Sequence, residues 1–201
     1  MKKIVVIICM MLLSMNIFAQ LKAGDKAPEF KLKNVDSKMV SFADFDKAKG
    51  FIVVFTCNGC PYAKAYEERI LEIDKQYSLQ GYPVIAVNPN DITQKPEDSF
   101  AHMVKLHKKK KYTFPYLFDA TQTTAKAYGA THTPHIFLIQ KDKDANTFTI
   151  KYTGGIDDNG MDVSKVSVNY LKDAVEELTR DKEITVKNSK TIGCTIKWKK
   201  G

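Results

Sequence analysis

Apolar and polar positions change period several times along this chain. "KGFIVVFT", Lys49 to Thr56, is a continuous apolar run rich in β-branched residues, which predicts a strand buried on both faces. From Pro61 the period switches. Tyr62, Ala65, Tyr66, Ile70, Ile73 and Tyr77 recur at helical spacing, with Lys64, Glu67, Glu68, Arg69 and Glu72 between them. Pro61 suits a first helical turn, where its missing N–H would be unpaired anyway, and Gly81 ends the segment. "YPVIAVN", Tyr82 to Asn88, predicts a second strand. After the loop "PNDITQK", "PEDSFAHMVKLHKK" predicts a helix with a proline-plus-acid start at Pro96, Glu97 and Asp98. "YTFPYLFD" is a short extended piece, and "TQTTAKAYG" a short helix closed by Gly129. "HIFLIQ" and "TFTIKYTG" are a third and fourth strand. "DVSKVSVNYLKDAVEELTR" predicts a final helix capped by Asp162. "APEFKLKNVDSKMVSFADF" alternates weakly, as an N-terminal hairpin would. Strand–helix alternation of this kind predicts an α/β layered sheet.

The first twenty residues break from this pattern. Lys2 and Lys3 precede an uncharged apolar run, and a small residue, Ala19, follows, which predicts a secretory signal peptide over residues 1–20. The run is short for a membrane span, and nothing downstream resembles one. A single domain is then expected over 21–201, its C-terminal tail covering 181–201. The formal charge of +8 includes Lys2 and Lys3, so removing the leader leaves about +6. The densest basic run, Lys108 to Lys111, ends a predicted helix, where cations complement the dipole. No aromatic or glycine-rich pattern surrounds it, and no nucleic-acid partner is expected. At 44% hydrophobic and 27% charged, the chain has the balance of an ordinary globular protein with a core that does not depend on disulfides.

Export gives the cysteines weight. Of four, Cys9 lies within the leader; Cys57, Cys60 and Cys194 remain. Outside the cytoplasm a close pair forms a disulfide unless something reduces it. Cys57 and Cys60 lie where a buried strand hands over to a helix, and a helix start stabilises the thiolate, the nucleophilic form of cysteine. Two intervening residues let one turn hold both sulfurs at bonding distance. Cys57, at the open end, is expected to attack, and Cys60 to resolve. Cys194, in the strand-like "TIGCTIKW", reads either as a small buried residue or as a third redox thiol brought over the pair by the tail. A copper site of Cys57, Cys60 and one of His132 or His135 is an alternative, and His102 and His107 read as surface positions. Tyr62, Phe114, Tyr116 and Phe118 read as core aromatics before a substrate groove. Nothing here calls for a cofactor.

A strand, Cys-x-x-Cys, a helix and a later Thr133-Pro134 before an apolar strand resemble the thioredoxin superfamily. "GDKAPEFKL" and the inserted "VNPNDITQKPEDSF" resemble its alkyl hydroperoxide reductase/thiol-specific antioxidant branch. "TCNGCPYAKAYEER", "FPYLFDATQTTAKAYGATHTP", "YTGGIDD" and "GCTIKWKK" are similar to that branch's peroxiredoxin-like subgroup. The resemblance implies a central mixed sheet flanked by helices. It also implies a cis bond at Thr133-Pro134 facing the cysteines, with the backbone of Thr133 offered to a bound substrate. The implied activity is thiol–disulfide exchange with a protein or small-molecule disulfide, with thiol peroxidase chemistry as the alternative. Against the peroxidase, Cys57 and Val53 occupy the slots where a Pro-x-x-x-Thr-x-x-Cys frame ending at Cys60 would carry threonine and proline. Against an ordinary thioredoxin, Thr56 stands where a tryptophan would precede the first cysteine, and Phe51 replaces the buried acid.

Overall fold

The computed structural model describes residues 20–143 and 147–200 of the chain. The leader expected over 1–20 lies outside the described residues, save for Gln20. A hairpin of β1 (Leu32–Asn34) and β2 (Met39–Val40) opens the fold. Strands β3 (Gly50–Phe55), β4 (Val84–Asn88) and β5 (Tyr116–Phe118) run parallel, and β1 joins β5 antiparallel. β6 (His132–Thr133) leads directly into β7 (His135–Lys141), which pairs antiparallel with β3 and with β8 (Phe148–Gly154). The mixed sheet therefore has the order β2-β1-β5-β4-β3-β7-β8. The helices are α1 (Pro61–Tyr77), α2 (Phe100–Lys110), α3 (Thr123–Tyr128) and α4 (Tyr170–Thr179). A separate two-stranded ladder joins β6 to β9 (Cys194–Thr195), inside the tail.

Central strands buried on both faces explain the continuous apolar runs. Along β3, Ile52 and Val54 enter a core shared with Tyr66 and Ile70 of α1, Met103 of α2 and Leu171 and Val175 of α4. Phe51, Val53 and Phe55 enter a second core on the opposite face, with Ala125 and Tyr128 of α3 and Ile196 of the tail. All five β3 side chains are fully buried, and each contributes roughly 1.5–3 kcal/mol through that burial. The strand that carries the cysteines is thus clamped from two sides, and its end is a rigid platform.

Two helix starts fall later than expected. Pro96–Asp98 forms a 3₁₀ turn, and α2 begins at Phe100 after Ser99, because the Asp98 side chain turns inward. Asp162 caps only the short turn Val163–Lys165, accepting from the Ser164 N–H. The chain then extends, its Ser167 and Val168 N–H groups donating to Asp158, and α4 starts at Tyr170. Gly129 closes α3 as expected, with φ 64°, a left-handed conformation that glycine adopts without penalty. At the basic end of α2, Lys108 and Lys109 are exposed, while Lys110 pairs with Glu67 at 2.6 Å.

Candidate functional site

The loop from Thr56 to Cys60 is fixed from beneath by a buried polar knot. Asp98, fully buried, accepts the Asn58 backbone N–H at 2.6 Å and the side-chain amides of Asn88 at 3.1 Å and Asn90 at 2.8 Å. The Asn58 amide donates to the Glu97 carbonyl at 2.7 Å, and its Oδ1 accepts from the Tyr116 hydroxyl at 2.8 Å. A buried carboxylate with this many donors is satisfied and orienting. Asp98→Asn turns one acceptor oxygen into a donor aimed at other donors. Chemical denaturation should show a loss of roughly 1–3 kcal/mol, and Cys57 should alkylate faster, since Asp98's negative charge disfavours a Cys57 thiolate.

Cys60 is the N-cap of α1, with extended backbone (φ −67°, ψ 128°) and Pro61 directly inside the helix. Its sulfur lies at the helix N-terminus, beside the free N–H donors of the first turn. Cys57 lies before the helix, its Sγ 3.2 Å from the Thr133 hydroxyl; the Cys60 thiol donates to the Thr133 carbonyl at 3.3 Å. Each cysteine is only 5% exposed, and both are thiols. Cys57, Cys60 and Ala63 form a small apolar cluster against which Tyr62 and Cys194 pack.

Their neighbours order the three thiols. Proximity to Cys57 most strongly favours a thiolate on Cys60, and Cys194 and the first-turn Ala63 N–H act the same way. Together they outweigh burial and bring Cys60 down to about 4. Its interaction with Cys60 raises Cys57 far above the ordinary thiol range; burial and the negative charge of Asp98 add to this. Burial, and then the interaction with Cys60, push Cys194 up to about 11. This ordering runs against the roles expected from spacing. Only Cys60 sits on the helix terminus, while Cys57 is tucked behind it near a carboxylate, so Cys60 is the favoured thiolate.

Thr133-Pro134 is cis and faces the pair, as the resemblance implies. The Thr133 edge expected to receive a substrate is covered. β9 pairs there in the register Thr133↔Cys194 and His132↔Thr195. His135 is spent elsewhere: its Nδ1 accepts the Thr131 N–H at 3.3 Å and its Nε2 lies 3.1 Å from the Thr153 hydroxyl. His132 bonds the Thr131 hydroxyl, and His102 is exposed, bonding Ser99 and the Pro96 carbonyl. His107 is half-buried rather than on the surface, its Nε2 3.3 Å from the Phe114 carbonyl. Among the described residues no three His, Cys, Asp or Glu side chains stand in a geometry to hold a metal ion. Phe114 and Tyr116 are core residues, and Phe118 is half-buried against Phe100. The functional residue that sequence pattern alone misses is Asp98. By pattern it is only part of an acidic helix start, and its one other signal is the amide-rich "NPN" at the end of a buried strand.

The model of the AhpC/TSA family matches residues 23–153. A thiol-disulfide oxidoreductase, ResA, from Bacillus thuringiensis subsp. konkukian is 26% identical over 123 residues, 61% of this chain and 66% of that protein. The chain thus spans just under two thirds of the length of that relative. Two solved structures match far more of the chain. An uncharacterized conserved protein from Geobacillus kaustophilus is 32% identical, covers 92% of this chain and 95% of its own, and superposes with a TM-score of 0.81. A hypothetical protein from Sinorhizobium meliloti 1021 is 31% identical, covers 91% and 98%, and has a TM-score of 0.82. With a central mixed sheet, a cysteine-bearing junction between β3 and α1 and a cis-proline segment opposite it, the fold is thioredoxin-like. The chain belongs to the AhpC/TSA family.

Proposed function

We propose that this chain is an exported thiol–disulfide oxidoreductase that works through a Cys57/Cys60 dithiol. The observation that carries the reading is the convergence of two buried thiols at a helix start on one residue, Thr133. The name of the ResA relative points to the same chemistry in that protein. In the reaction, the Cys60 thiolate attacks one sulfur of a partner disulfide, and the other partner sulfur leaves as a thiolate and takes up a proton. Cys57 then loses its proton and attacks the Cys60 sulfur of the mixed disulfide. The second partner thiol departs and a Cys57–Cys60 disulfide remains, to be reduced by an external dithiol. The residues need no cofactor for this. The partners are protein or small-molecule disulfides and thiols, which meet the sulfurs beside Thr133-Pro134, past the tail strand that covers the Thr133 edge. The basic and apolar leader supports an extracytoplasmic site of action for a domain over 21–201. No helix among the described residues is long and apolar enough to cross a membrane.

The reading is tested by mixing reduced protein with a disulfide-bridged peptide and counting peptide thiols released: two per protein are expected, and none would reject it. The peroxidase alternative separates in a second assay. A fast peroxidatic site needs donors free to bind the peroxide oxygens. The Thr133 hydroxyl beside the thiols is already bonded to Cys57 Sγ and aimed at the Cys194 carbonyl at 3.5 Å. Stopped-flow oxidation by hydrogen peroxide should therefore run near the rate of an ordinary low-pKa thiolate. A rate orders of magnitude above that would make the peroxidase the better account.

A further inference from the structure

The two thiols of the proposed dithiol are nearly closed off, yet a third thiol stands over them. Cys194 is part-exposed and packs against the Cys57/Cys60 cluster. Its position is fixed by construction. β9 is antiparallel to β6, the Ile196 N–H donates to the Thr131 carbonyl at 3.0 Å, and Ile196 is buried in the second core. The Lys197 N–H donates to Asn90 Oδ1 at 2.9 Å, tying the tail to the same polar knot that holds the cysteine loop. Gly193 makes this approach feasible: a Cβ there would stand 2.4 Å from the Thr133 carbonyl oxygen, well inside contact distance.

This placement has two effects. The exposed strand edge beside the sulfurs, where an extended partner segment would add by backbone pairing, is taken by the tail. Cys60 shares one cluster with two thiols, the buried Cys57 and the part-exposed Cys194, each able to attack a mixed disulfide formed on it.

We infer that Cys194 is a second resolving thiol, through which Cys60 passes the disulfide from the buried pair to the tail. The inference rests on the dithiol reading above. The Cys194 thiolate attacks the Cys60 sulfur of a Cys57–Cys60 disulfide, or of a mixed disulfide with a partner. A Cys60–Cys194 bond forms while the bond from Cys60 to Cys57 or to the partner breaks. The departing sulfur takes up the proton that Cys194 gave, and no electrons are gained or lost in the exchange. The disulfide then lies at the part-exposed tail, where an external reductant meets it.

Trypsin separates the sulfurs cleanly, because Cys57 and Cys60 share the peptide 50–64 and Cys194 lies in 191–197. Full-length Cys57→Ser, folded by circular dichroism, is treated with one equivalent of hydroxyethyl disulfide, quenched with iodoacetamide and mapped. The expected result is a cross-link between peptides 50–64 and 191–197, with both hydroxyethyl thiols released. Adding Gly193→Val, which forces the tail off Thr133, should slow that cross-link at least roughly tenfold. The inference is overturned if Cys60 is recovered as the hydroxyethyl adduct with Cys194 alkylated, or if Gly193→Val leaves the cross-linking rate unchanged. Should Cys57→Ser fail to fold, wild-type protein quenched at graded times decides: a transient 50–64/191–197 cross-link supports the relay, and its absence at every time rejects it. Failure of the underlying reading looks different, since the wild type would then form no disulfide within peptide 50–64 at all.

Discussion

Cys60→Ser should reduce thiol–disulfide exchange to the uncatalysed level, the largest effect of any single substitution in this chain. Cys60 is the N-cap residue of α1 and sits in one cluster with both neighbouring cysteines, so no other group replaces it. A thiol of ordinary pKa is only a few per cent ionised at neutral pH, whereas one brought down to about 4 is fully ionised there. The wild-type alkylation rate of Cys60 should accordingly be flat from about pH 8 to pH 5. It should fall as pH drops through about 4, where the thiolate takes up its proton. Cys194, pushed up to about 11, should label faster with each step toward alkaline pH. Timed iodoacetamide labelling read by peptide mass separates the two. A Cys60 profile that rises with pH through 8 would return the attacking role to Cys57.

Acid should unfold the protein through His135. The ring is fully buried between the Thr131 N–H and the Thr153 hydroxyl, and burial, with His132 nearby, holds it down to about 3 against an ordinary 6.5. The folded state therefore refuses a proton that the unfolded state accepts. Stability is whole above about pH 6.5 and is lost progressively as pH falls toward 3, by an amount on the order of 5 kcal/mol at the low end. That would exhaust much of the stability of a typical domain. His135→Gln, which keeps an acceptor and a donor without a titratable ring, should be less stable at neutral pH. It should also show a flatter stability curve between pH 6.5 and 4. Urea midpoints across that range measure it, and parallel curves for the two proteins would assign the acid sensitivity elsewhere.

The parts of this molecule that follow from short-range pattern are legible in the amino-acid sequence. The apolar run ending at Phe55 and the change of period at Pro61 place the cysteines at a strand-to-helix junction, because both-face burial and helical amphipathicity leave distinct signatures. What pattern does not reveal depends on contacts between distant residues or on the turn at which a helix begins. Asp98 reaches Asn58 across 40 positions, and no local rule announces that an acidic helix start will turn inward instead. The order of Cys57 and Cys60 turns on which of them caps α1, a backbone detail two residues wide. The extended stretch before α4 arises because Asp158 captures two N–H groups that the helix would have used. The cis segment opposite the thiols is legible only through family resemblance. A tail folding over the pair is one reading of Cys194, but its pairing with the cis segment is not legible, since pairing between His132–Thr133 and Cys194–Thr195 leaves no periodic trace.

The central claim, that Cys57 and Cys60 exchange their hydrogens for a disulfide and back, is tested most directly on the peptide that carries both. Reduced wild-type protein is equilibrated with oxidised and reduced glutathione over a range of ratios, quenched with acid, alkylated and digested. Peptide 50–64 should pass from a doubly alkylated form to one lacking two hydrogens, with a single reversible midpoint. Recovery of both cysteines alkylated at every ratio would contradict it.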